Sequence, residues 1–305
     1  MTKSELKKSL KPIFAKIKDP VYRWDGLLEL KQLELKQFKD ILAYAKHPFW
    51  LISWAILDKI ADFDDEKAIP YLFPFIKHND SQIKQKAEEV IISISTNNVM
   101  YFIKKLDHLD YRVRFFAITV LKEKGPNIIT FLSSQVGKHS WVISNRLVQI
   151  IWEIVGMKKA TILIPFLTIH TVQRHTIMLM ALSKNKDCIK PIVRLYKYPR
   201  LKQHIMLAIN SFGVNDAIPA IIETLKDIKA KKWATSLLKR IGSPAVPYLI
   251  KASISKSDHY KDIMALLELI PFTMNQYITL EEKFVEKRNT FKHLDPIRRF
   301  EPKIK

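Results

Sequence analysis

The sequence predicts an all-α fold, an α-α superhelix of about eight helix pairs capped at each end, and three observations predict it. The first is repetition. Between residues 18 and 255 one pattern recurs at a period of about thirty residues. The second is punctuation. Gly125, Gly156, Gly213 and Gly242 each close an apolar run (VLKEKG, IWEIVG, AINSFG and LLKRIG), and Asn98 and Asn185 stand near the two gaps in that series. Pro70, Pro165, Pro191, Pro219 and Pro247 each open the next run. Glycine suits the left-handed residue just past a helix end, and proline suits the first turn, where no backbone donor is needed. The third is composition. Six glycines in 305 residues leave room only for short, stereotyped turns, and an apolar share of 48% is that of a folded chain.

Each element follows in order. Residues 1–17 read as a capping helix with Leu6, Leu10, Phe14 and Ile17 on one face, Ser4 as its N-cap and Pro12 kinking or splitting it. The repeats divide near 18–46, 47–78, 79–108, 109–138, 139–169, 170–199, 200–228 and 229–255. The fourth is the most legible: LDYRVRFFAITVLKEKGPNIITFLSSQVGK sets Val113, Phe116, Ala117, Val120 and Leu121 on one helical face. Ala234, Leu238 and Gly242 reproduce the spacing of Ala117, Leu121 and Gly125. A small residue there lets helices approach to about 8–10 Å. Pro271 ends the last repeat-like helix. Residues 256–294 form C-terminal capping helices, the final one over 278–294, and 295–305 a basic tail.

The patterns D-x-x-V-R-x-x-A-x-x-x-L-x-x-x-G (110–125) and A-V-P-Y-L-I-K-A (245–252) resemble short bacterial HEAT repeats, the type first named from phycobiliprotein lyase subunits. The resemblance spans the repeats at 18–255. It implies a right-handed stack of helix pairs, and it is nearly silent on function, because such repeats are scaffolds in many unrelated systems. In architecture and charge the chain is also similar to helical-repeat DNA glycosylases that remove alkylated bases.

The charge is unusual. Fifty-one Lys and Arg against thirty Asp and Glu give +21, and the excess is uneven. Residues 1–99 hold 16 basic and 14 acidic residues, 100–228 hold 19 and 8, and 229–305 hold 16 and 8. Such a field favours anionic partners: nucleic acid, an acidic protein face or anionic lipid. Successive repeats place Lys84 and Lys86, Arg112 and Arg114, Arg146, Arg174, Lys202, then Lys229, Lys231 and Lys232 near the start of the second-layer helix. Stacked about ten ångströms apart, these side chains form a basic ridge along one face. Two readings stay open. Asp80 and Asp110 allow an internal arginine–aspartate ladder early in the chain, whereas Ser140, Thr171 and Leu201 at the matching positions leave the later cations to a partner.

Other candidates carry bland readings. His47, His78, His108, His139 and His170 recur at intervals of 31, 30, 31 and 31. Neighbouring units lie too far apart for two of them to share an ion at bonds of about 2 Å, so they are expected to satisfy helix-end carbonyls. Trp54 and Asp58, one turn apart, are the residue types of the glycosylase resemblance, which implies base-repair chemistry in a basic groove. No extended motif accompanies them, and Asp62, Asp64, Asp65 and Glu66 make a poor neighbour for DNA. The expectation is Trp54 in the core and Asp58 facing solvent. Trp24, Trp50, Trp141, Trp152 and Trp233 share no phase.

Cys188, the single cysteine, excludes an internal disulfide framework and reads as a small core residue. Phosphate-cradling glycine loops, HExxH and GxSxG are absent from the sequence, so no cofactor, metal or catalytic residue is assigned. No run approaches the ~20 apolar residues of a membrane span, and the charged start MTKSELKKSLK lacks a secretory signal. A cytoplasmic protein is expected.

The reading that follows is a non-enzymatic scaffold or adaptor. Its concave face and basic ridge would hold a protein partner with an acidic or mixed surface. The alternative is nucleic-acid binding through the same ridge, with or without base repair.

Overall fold

The computed structural model describes residues 3–35, 38–95, 98–254 and 260–271, with residues 275, 276, 278 and 282 beyond them. All regular structure among the described residues is helical. The chain divides into two compact units, Met1–Gln135 and Val136–Lys305.

In the first unit, α1 (Lys3–Lys18) packs on α2 (Arg23–Gln32), and helix pairs follow. The second helix of the first pair is α3 (Phe38–Leu42), continued by a 3-10 turn. Next come α4 (Trp50–Ala61) with α5 (Ile69–Leu72), α6 (Ser81–Ile94) with α7 (Val99–Lys105), and α8 (Tyr111–Glu123) with α9 (Ile129–Gln135). The first helices form one layer, α4 against α6 and α6 against α8.

The second unit repeats this plan. The helix α10 (Trp141–Val155) precedes a 3-10 segment at Met157–Thr168. The helices α11 (Gln173–Leu182) and α12 (Ile189–Val193), α13 (Lys202–Phe212) and α14 (Val214–Glu223), then α15 (Ile228–Ile241) and α16 (Val246–Ile254) are paired, and α17 (Tyr260–Leu269) follows. Here α10 packs on α11 and α11 on α13, while the second helices pack α12 on α14 and α14 on α16.

Local chemistry sets these boundaries. The Asp80 carboxylate accepts from the Gln82 and Ile83 amides at the start of α6, and the Asp110 carboxylate accepts from the Arg112 amide at 2.9 Å. Ser140 and Asp227 cap α10 and α15 in the same way. Along α6, Ile83, Ala87, Val90, Ile91 and Ile94 are buried, the spacing of one helical face. The small residues at the packing position, Ala87, Ala117, Ala208 and Ala234, are all fully buried, as the spacing argument requires.

The period also appears as bonds between successive pairs. In the first unit Lys59 donates to the Lys31 carbonyl at 2.6 Å, Lys86 pairs with Asp58, and Lys77 pairs with Asp110 at 2.8 Å. In the second, Lys184 donates to the Ser211 carbonyl, Lys186 pairs with Asp216 and Lys231 with Asp262. Residues about one repeat apart in the chain are neighbours in space. An internal ladder exists, and in these six contacts its cations are lysines rather than the predicted arginines.

Several local expectations are corrected. Gly156 (φ 75°) and Gly242 (φ 71°) are left-handed stops, but Asn98 (φ −88°) and Asn185 (φ −76°) are not. Lys184 takes the left-handed conformation instead (φ 56°), and the Asn185 side chain caps the following turn by accepting from the Asp187 amide. Pro165 and Pro219 lie inside their helices, not at the start. Pro12 leaves α1 as one helix, because it faces solvent, where water meets the carbonyl it frees. Ser4 falls within the first turn of α1, not ahead of it. The predicted helix over 278–294 and the tail lie almost wholly outside the described residues. No helix among the described residues is long and apolar enough to cross a membrane.

Candidate partner-binding surfaces

The predicted cations fall near the start of the first helix of each pair, not of the second-layer helix expected from the sequence, and the two units hold different members. Lys84, Lys86, Arg112 and Arg114 belong to the first unit; Arg146, Arg174, Lys202, Lys231 and Lys232 belong to the second.

In the first unit the four are not equivalent. Lys86 is turned inward: its ammonium pairs with Asp58 on α4 and sits 4.5 Å from the centre of the Trp54 ring. A cation held by a carboxylate and an aromatic face is largely neutralised. Arg114 is spent on the backbone, donating to the carbonyls of His108 at 2.8 Å and Leu109 at 2.7 Å. Among the described residues Lys84 reaches only its own helix neighbour Glu88, at 3.9 Å. Arg112 lies 3.4 Å from Asp110, but that carboxylate is engaged by Lys77 at 2.8 Å. Those cations and the Arg112 amide hold the Asp110 carboxyl well below the usual range. Lys84 and Arg112 are the outward-facing pair.

In the second unit Arg146 is half-buried, whereas Arg174, Lys202 and Lys232 are exposed. Among the described residues no carboxylate pairs with those three. Lys231 is tied to Asp262 at 2.5 Å. The ladder and the outward cations therefore coexist, sorted by position on the helix.

Aromatic residues accompany the cations. Tyr111 is 67% exposed and Phe115 71%, one turn apart on α8 and flanking Arg112. Trp141, at the first position of α10, is 66% exposed, and Ile228 opens α15 at 90%. Each follows the capping residue of its helix (Asp110, Ser140, Asp227), a position whose side chain points away from the packed face. The sequence holds this signal as D-Y, S-W and D-I. It stays hidden when tryptophans alone are compared for phase.

Three of the five histidines act in the opposite sense to the expectation. The Nδ1 atoms of His47, His78 and His108 accept from the amides of Phe49 (2.9 Å), Asp80 (3.1 Å) and Asp110 (3.0 Å). They organise the start of the next helix rather than the end of the last one. No group of three or more His, Cys, Asp or Glu able to hold a metal occurs among the described residues.

Trp54 and Asp58 are both half-buried, the carboxylate occupied by Lys86 rather than open to solvent. They line a cleft of about 370 Å³ together with Trp24, Leu27, Leu28 and Lys59. Trp24 is 79% exposed. Lys59 is held by the Lys31 carbonyl and Asp62, so both Asp58 and Lys59 are engaged by groups outside the side chains that line the cleft. Cys188 is fully buried, and burial pushes its thiol up to about 11.

No protein-family model matches the chain, and no curated protein matches its sequence.

Proposed function

We propose that this chain is a non-enzymatic adaptor of HEAT-like helix pairs that holds a protein partner with an acidic or mixed surface. The observation that carries this reading is the pairing of exposed aromatics with an outward cation on a first helix, α8. Tyr111 and Phe115 flank Arg112, and Trp141 opens α10. Interface energy concentrates in Trp, Tyr and Arg, with charge supplying steering. Arg174, Lys202 and Lys232 would supply that steering in the second unit.

The test replaces Arg112, Arg174, Lys202 and Lys232 by Glu together. Partner capture should be lost while the helical circular dichroism stays as in the parent. Capture that persists removes these residues from the interface.

A second reading, nucleic-acid binding, is supported by the net charge of +21 and by the same aromatics, whose faces suit base stacking. It makes a separate prediction: purified protein retains nucleic acid, visible in its 260/280 nm absorbance ratio, and binds a mixed-sequence duplex with steep salt dependence. An adaptor elutes clean after a high-salt wash and brings down a discrete protein.

A further inference from the structure

The second unit contains a cleft of about 370 Å³ between the second helices of two successive pairs. It lies where α12 runs on into the turn Arg194–Lys197, and where α14 runs on into the turn Thr224–Lys226. Four cations line it, Lys190, Arg194, Lys197 and Lys226, against two carboxylates, Glu223 and Asp227. None of the four belongs to the ridge legible in the sequence.

Both carboxylates are already committed. Glu223 accepts from Lys190 at 2.7 Å and lies 4.0 Å from Arg194. Asp227 caps α15 through the Lys229 amide at 2.9 Å and accepts the Tyr196 hydroxyl on its other oxygen. Tyr196 is itself fixed by stacking on Trp233, ring centres 5.8 Å apart. Lys226 meets no carboxylate among the described residues, and Lys197 only faces the Tyr198 ring at 5.4 Å. The cationic excess is two charges.

Lysines often sit at helix C-termini because they suit the exposed carbonyls there. That explanation covers one cation per helix end. It does not bring four from two chain segments to one concavity. A lysine closes the equivalent segment in other pairs as well, Lys46 and Lys77 among them, so what sets this cleft apart is Lys190 and Arg194, which add two cations to the terminal Lys197 and Lys226.

We propose that this cleft binds a phosphate dianion carried by a small ligand, such as a phosphomonoester. A dianion matches the excess of two charges. Its oxygens offer acceptors to the Arg194 fork and to two mobile ammoniums at once. Ala220 and the Tyr196 ring give the ester carbon an apolar wall. The proposal is independent of the adaptor reading, since none of these residues belongs to the aromatic and cationic surface invoked there.

The experiment is calorimetric titration of the full chain with inorganic phosphate and with glycerol phosphate at low salt. Saturable binding in the range of about 1 mM or tighter is expected. Affinity should rise between pH 5.5 and 7.5, as the second phosphate proton (pKa about 6 in a phosphomonoester, about 7 in inorganic phosphate) is lost. Arg194→Gln combined with Lys226→Gln should weaken binding by about tenfold or more, the loss of at least one charge-assisted hydrogen bond. Lys239→Gln combined with Lys251→Gln removes the same charge from exposed positions elsewhere and should leave affinity unchanged. Circular dichroism confirms that all variants are folded. Tighter binding of glycerol phosphate than of inorganic phosphate shows that the apolar wall is used; equal binding places recognition in the phosphate alone. The proposal is overturned by non-saturable titrations, or by equal losses in the two double variants.

Discussion

Replacing Gly26 by alanine tests the seating of the N-terminal cap. A Cβ at this position would lie 2.8 Å from the Ile17 amide nitrogen, and 2.9 Å from both Ile17 Cγ1 and Lys16 Cβ. Two effects oppose each other. Alanine is favoured over glycine in a helix by about 1 kcal/mol. Against this, carbon atoms pack best at about 3.5–4.0 Å, so α1 must withdraw from α2 by roughly 0.6–1 Å. Backbone cannot rotate aside as a side chain does. Leu10, Ile17 and Leu30 are all about fully buried at this contact, and a gap of that size forfeits about a quarter to a half of each contact's attraction. Overpacking of this kind costs about 1–3 kcal/mol, so the net loss is about 1 kcal/mol, concentrated in the terminal helix. Hydrogen exchange read by mass spectrometry should show faster exchange over residues 3–18, with helices beyond α2 unchanged. Slower exchange there, or a higher melting temperature, would refute the reasoning, because propensity would have won and the helices would not be in contact.

Three further outcomes follow from the same geometry. Arg114→Ala removes two bonds to turn carbonyls and should cost about 1–2 kcal/mol in denaturant unfolding, whereas Arg112→Ala should leave the midpoint unmoved. Burial lowers the pKa of His175, and burial followed by the Lys18 charge lowers that of His47. The unfolded chain therefore binds more protons than the fold as pH drops through 6.5, so thermal stability should fall from pH 7.5 to 5.5. His175→Gln should flatten that slope, and a wild-type melting temperature independent of pH would contradict the assignment. Cys188, with its thiol pushed up to about 11 by burial, should resist thiol reagents in the native protein and react only on unfolding.

The helix pairs were legible because their markers are local. A left-handed glycine after an apolar run, or a buried alanine amid helical spacing, needs no knowledge of the neighbouring pair. Side-chain roles that depend on the neighbour were not. Lys86 occupies a ridge position by spacing, yet Asp58 and Trp54 on the preceding helix draw it inward. The imidazoles recur at a turn and suggested helix-end partners, but the atom that meets Nδ1 is the amide two residues on. Asn185 stood where a glycine was due, and a lysine beside it took the strained conformation instead. The basic cleft was invisible for a similar reason. Lys190 and Lys226 are 36 residues apart and become neighbours only when two pairs stack.

The most direct measurement compares partner capture by the parent protein with capture by the variant carrying Glu at 112, 174, 202 and 232, and by a control carrying four Glu at the exposed positions Lys8, Lys11, Lys158 and Lys239. The account predicts that the parent and the control bring down the same discrete protein after a high-salt wash, and that the first variant brings down none. Equal losses in both variants would reduce the surface to bulk charge, and retention by all three would leave the outward cations with no part in binding.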